Sequence, residues 1–183
     1  MMNFIVKYSS LGIAVLSFLI NSCTSDLNFE QTNDLVVEPV IVSNLASFDI
    51  PTNQFFTGGI EKTQLIDIPN FDLFKDLFFK DNLTKVEFFF EFNNTIKRNF
   101  EVDLVLLDAN DSQLYVINMP IPAYTGTTKL VPQTEIFENN LDILNQTRKI
   151  FFRITLLPGA SLNQNSLASL KLRSSITAYF KVE

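Results

Sequence analysis

The sequence predicts a mainly β domain: a two-layer antiparallel β-sandwich of Ig-like or Greek-key type, with two short helices. Three observations predict it. Seven to nine segments are β-branched or alternate apolar and polar residues with period 2, the strand period. Gly, Pro, Asn and Asp clusters punctuate them as turns. The strand–helix–strand alternation of a parallel sheet is missing, so the strands have to bury one face against a second sheet.

Residues 1–22 come before that domain. Lys7 is their only charge, and Leu11 to Ile20 is an unbroken run of apolar, small or hydroxyl residues. A short apolar core behind a positive start is the pattern of a secretory signal, and it is about half the roughly 20 residues a spanning helix needs. Ile20-Asn21-Ser22-Cys23 follows. This resembles the lipobox of bacterial lipoprotein signals, which implies cleavage before Cys23 and lipidation of that residue. The competing readings are an ordinary cleaved signal and an uncleaved anchor. Residues 23–34 then form the lipidated Cys and a polar tether with Asp26, Glu30 and Asp34. An acidic stretch in this place resembles the surface-export signals of Bacteroidota lipoproteins, although a plain solvated linker would look the same.

The sandwich domain is assigned to residues 35–183. Residues 35–50 read as an edge strand, or as two short strands meeting at Pro39, because a proline cannot donate to a central ladder. Gly58-Gly59 separates residues 53–57 from a strand over 62–68. Phe71, Phe74, Leu77 and Phe78 follow helical spacing and predict a first short helix. Val86, Phe88, Phe90 and Phe92 alternate with Lys85, Glu87, Phe89 and Glu91. Phe100, Val102, Leu104 and Leu106 alternate with Glu101 and Asp103. The link 93–99 is short and polar, which predicts that these two strands form a hairpin. A strand over 113–119 ends at Pro120 and Pro122, and residues 125–131 are a further candidate. Phe137, Leu141 and Leu144 predict a second helix over 134–145. Strands over 148–157 and 170–182 complete the set, the second with the cleanest separation of faces in the chain. The wet faces of the 85–92 and 100–107 strands are largely acidic and those of the last two are basic. An acidic strand should therefore neighbour a basic one, since like charges directly opposed are destabilising.

Composition limits the chemistry. The chain has no His, so imidazole general-base catalysis, Ser-His-Asp triads and most zinc or iron sites are excluded. Cys23 is the sole cysteine, so no internal disulfide can form, and with Cys23 committed to lipid no thiol is left for catalysis. After residue 22, 13 basic residues against 20 acids leave a net charge of −7, which argues against nucleic-acid binding. No cofactor is expected. A Phe92–Phe100 pairing would set Glu91 opposite Glu101 at a retaining-glycosidase spacing, but an open sheet face without a cleft favours a solvated or salt-bridged pair. Asp108, Asn110 and Asp111 offer part of a Ca²⁺ loop, yet no Gly or Glu completes it. Phe89 and Phe151 interrupt the polar alternation of their strands and are candidates for a partner-binding patch. The absence of Trp weakens glycan stacking.

Signal, tether and all-β body with Asn-rich turns together resemble the small, uncharacterised envelope lipoproteins of Bacteroidota. The resemblance implies a membrane attached through a lipid on Cys23, most simply the outer membrane, and names no activity. The expected function is a non-enzymatic adaptor or protein-binding module with a protein partner in the envelope. The alternative is a surface lipoprotein that binds glycan or Ca²⁺.

Overall fold

The computed structural model describes residues 36–69 and 81–182. The signal, Cys23, the tether and the first predicted helix lie outside the described residues. Among the described residues a 3-10 helix (Thr52–Phe55) follows the first of ten strands, and one α-helix is bounded: β1 (Val40–Pro51), β2 (Phe56–Thr57), β3 (Ile60–Glu61), β4 (Gln64–Asp67), β5 (Leu83–Asn94), β6 (Phe100–Leu107), β7 (Gln113–Ile121), β8 (Leu130–Phe137), α1 (Leu141–Gln146), β9 (Lys149–Leu156) and β10 (Ser169–Phe180).

Eight of the strands build two four-stranded antiparallel sheets, in the orders β1-β10-β5-β8 (sheet 1) and β4-β9-β6-β7 (sheet 2). Of these eight, only β6 and β7 are successive strands paired within one sheet; the other connections cross between the two sheets. This is the Greek-key sandwich in its eight-stranded, jelly-roll form. The period-2 pattern explains the core. Inward positions of β5 (Phe88, Phe90, Phe92) and of β9 (Ile150, Phe152, Ile154) are buried in one cluster. The layers lock by edge-to-face rings: Phe152 lies 5.9 Å from Phe48 and 6.3 Å from Phe90, at interplanar angles of 79° and 81°. At the β7/β8 side, the Tyr115 ring packs on Phe137 at 5.2 Å and its hydroxyl donates to Glu135 at 2.9 Å, bridging the sheets.

Several expectations hold. β1 is an edge strand that begins after Pro39. Gly58 and Gly59, with φ of +59° and +80°, form the two-residue turn of the β2–β3 ribbon, where both positions need positive φ. Each basic strand neighbours an acidic one: β9 beside β6, with Arg153 opposite Asp103, and β10 beside β5, with Arg173 opposite Glu91.

Others are corrected. β5 and β6 do not form a hairpin; they lie in different sheets. The reason is their link. Ile96 is buried, and the Asn94 amide donates to the carbonyls of Arg98 (3.0 Å) and Pro122 (2.8 Å) while its oxygen accepts from the Ile96 N–H (2.9 Å). These bonds turn the chain across the end of the core. The helix predicted over 134–145 is instead the end of β8 followed by the six-residue α1. Phe137, paired with Val86, belongs to the strand and only Leu141 and Leu144 to the helix. The strand predicted over 125–131 starts at Leu130. β7 runs through Pro120 to Ile121, which an edge strand tolerates.

Candidate functional site

The outward positions of sheet 1 form rows fixed by register. One row is Asn44, Ser175, Phe89 and Thr134. Phe89, on an inner strand of the sheet, is 40% exposed. The row on one side is Val42, Thr177, Glu87 and Ile136, and its end residues are exposed aliphatics. The row on the other side includes Arg173, Glu91 and Pro132. Phe89 thus sits between an apolar-ended row and a charged one. A tight cluster borders it: Lys85 and Glu87 are 2.5 Å apart, Lys85 stands 4.7 Å from the Tyr179 ring centre, and the Tyr179 hydroxyl donates to Glu87 at 3.2 Å. The Lys85 bond, with smaller help from Tyr179, holds the Glu87 carboxyl below the usual range, and the same bond pushes Lys85 up.

Phe151 does not join Phe89. It lies on β9, half-buried beside Val105 of β6, on the outer face of sheet 2. The two rings are therefore on opposite faces of the sandwich, and the two-residue patch expected from the sequence does not form. Glu91 and Glu101 are separated in the same way, so no carboxylate pair forms between them. On sheet 2, Asp103 is 5% exposed and fully engaged: Arg153 donates twice to one oxygen (2.9 and 2.7 Å) and Asn118 to the other (2.7 Å), while Asn118 also reaches Glu101 (2.5 Å). In the 108–112 turn the Asp108 carboxylate accepts the N–H groups of Asn110 and Ser112, both at 2.8 Å, and Lys149 pairs with Asp111 at 2.6 Å. These oxygens serve the turn. Among the described residues no group of three or more His, Cys, Asp or Glu is placed to hold a metal, and no helix is long and apolar enough to cross a membrane.

A second surface lies at one end of the sandwich, where β1, β5, β7 and β9 finish. A groove of about 420 Å³ opens there between the loops after β5, β7 and β9, with Lys97, Tyr124, Ser161, Asn163 and Ser166 on its walls. Its scaffold is a residue the sequence reading missed. Arg98 is 7% exposed. It donates to the carbonyls of Leu157 and of Ala160 (2.5 Å) and pairs with Glu61 at 3.2 Å, and the other Glu61 oxygen accepts the Leu162 N–H at 2.9 Å. Gly159 packs against the Arg98 stem so closely that an added Cβ would come within 2.9 Å of it. Ile96 two residues earlier was the available signal: an apolar residue in a polar link marks a buried loop. Val36, the first described residue, lies at the opposite end, where Val37 bridges Val182.

No family model and no curated protein matches the chain. Solved structures that it resembles include the T13 viral particle of infectious bursal disease virus (13% identity, TM-score 0.44, covering 78% of this chain and 31% of that one). Others are the Desmodium yellow mottle tymovirus (12%, 0.35, 81% and 89%) and a pilus of Bacillus endospore appendages (7%, 0.29, 79% and 88%). The chain thus spans about a third of the length of the bursal disease virus protein. With TM-scores below 0.5, the fold assignment rests on this chain's own strand order.

Proposed function

We propose that the chain is a lipid-anchored envelope protein, attached through Cys23 and most simply to the outer membrane, whose sandwich is a non-catalytic module that binds a protein partner. The observation that supports the binding half is Phe89. A large aromatic, 40% exposed on an inner strand of a sheet, with the exposed Ile136 diagonal to it on β8 and the exposed Val42 at the far end of the neighbouring row, is the composition of an interaction surface rather than of a solvated face. The distribution of carboxylates points the same way: Asp103 and Asp108 are spent on structural hydrogen bonds, and Glu91 and Glu101 stand on opposite sides. A second reading, glycan binding, is favoured by the end groove, where Tyr124 offers a ring and Ser161, Asn163 and Ser166 offer neutral donors and acceptors. The Asp108–Ser112 turn gives no support to Ca²⁺.

The two readings separate in cells. Lysine-directed cross-linking of the full chain, read by mass spectrometry, should join Lys85 or Lys171 to an envelope protein. Phe89→Ser should lose that link and Phe151→Ser should keep it. A link indifferent to Phe89→Ser but lost in Tyr124→Ala would remove the basis of the Phe89 reading.

A further inference from the structure

We infer that the first five residues of β1 form a self-pairing edge, and that two copies of this chain join there into one continuous sheet. The argument begins with hydrogen-bond parity. Val37 and Val182 exchange both backbone bonds, and the Phe180 N–H donates to the Pro39 carbonyl. In an antiparallel ladder bonded positions alternate. Residues 39, 41 and 43 therefore bond to β10, as Val37 does to Val182 beyond its end, while the N–H and C=O groups of Val40, Val42 and Asn44 point to the open side. Register is regular from Val40 to Asn44 and shifts only after it.

Edges are normally blunted by prolines, charges, bulges or shortness. The other three edges carry such a device: Pro132 in β8, Pro120 in β7, and only four residues in β4. Residues 40–44, Val-Ile-Val-Ser-Asn, have none. Instead they show three adjacent exposed aliphatics, Val40 (53%), Ile41 (39%) and Val42 (67%).

A second copy fits this edge in antiparallel register about Ile41. Val40 of each chain then faces Val42 of the other, and both residues have their backbone groups aimed across the junction. Glu38 faces Asn44, so no like charges oppose. Ile41 meets its own equivalent at a non-hydrogen-bonded position, where the Cα atoms come within about 4.5 Å. All three aliphatics gain an apolar neighbour, and the two outer faces, each with its Phe89, become continuous. Fourteen residues separate Cys23 from Glu38, a reach of up to roughly 50 Å, so two chains paired in this way can share one membrane. The pairing does not depend on lipidation.

The test is a cysteine at the symmetry point, in the full chain in its native envelope. Ile41→Cys should give a disulfide dimer on a non-reducing gel under mild oxidation, since the expected Cα separation falls within the window for a disulfide. Wild type, with Cys23 as its only cysteine, sets the background. Leu167→Cys, fully exposed in the loop after β9, should stay at that background. Adding Val42→Lys should return Ile41→Cys to background while leaving the thermal melt intact. A folded Ile41→Cys protein that cross-links no more than Leu167→Cys overturns the inference, and so does a dimer that Val42→Lys leaves unchanged.

Discussion

Replacing Arg98 with Met keeps the stem that packs on Gly159 and removes the guanidinium. Three groups lose their partner: the carbonyls of Leu157 and Ala160 and one oxygen of Glu61. A buried acceptor left unsatisfied costs about 1–3 kcal/mol, and breaking a buried ion pair from one side costs about 3–5 kcal/mol. The Glu61 side chain is 25% exposed, so water recovers part of its share. The carbonyls supply most of the loss, and the total comes to about 3 kcal/mol. For a domain of this length that lowers the melting temperature by roughly 6–12 °C. Urea denaturation of the described domain, Val36–Val182, measures it directly. Glu61→Gln should cost less, because the amide still accepts from Arg98, and the double variant should cost less than the two singles combined. A loss below about 1 kcal/mol for Arg98→Met would refute the view that this residue holds the loop end together.

Two predictions concern pH. Asp49 is held low first by its Lys171 bond and then by Ser169, and Glu87 first by Lys85. Carboxyls with lowered folded values add stability that is present above their ordinary values, 3.8 and 4.5, and is lost as pH falls through the lower folded ones. The urea midpoint should therefore drop below about pH 4.5, and Glu87→Gln should flatten that limb; an unchanged limb contradicts the pairing. At the alkaline end Lys85 is raised by Glu87, and Tyr115 by its bond to Glu135. Their contribution is complete below the ordinary values, 10.5 and 10.0, and fades as pH rises through the folded ones, so Glu135→Gln should shallow the alkaline loss.

The strands with strong alternation were legible almost to the residue. The 100–107 strand is β6, 148–157 contains β9, and 170–182 covers β10 except its first residue, Ser169. Period 2 states which side chains face inward but carries no information on which strand lies alongside. That is why the β5–β6 hairpin failed while the pairing of acidic with basic strands succeeded: cross-strand charge is a statement about neighbours. The same limit explains Phe89 and Phe151. Both were correctly read as facing outward, and nothing in their spacing says that the outward directions are opposite. Phe137, Leu141 and Leu144 mimic one helix because a strand end and a helix start happen to present apolar residues at intervals of four and three. Arg98 was invisible for a different reason. Its partners, Glu61 and the 157–162 backbone, are distant in sequence and converge only when the loop end closes.

The central claim is that a lipid on Cys23 holds this sandwich at the envelope. The intact mass of the chain purified from its own membranes tests it most directly. The account predicts a species that starts at Cys23, carries two or three acyl chains, and vanishes in Cys23→Ser. A mass that retains residues 1–22, or one with an unmodified Cys23, would contradict it.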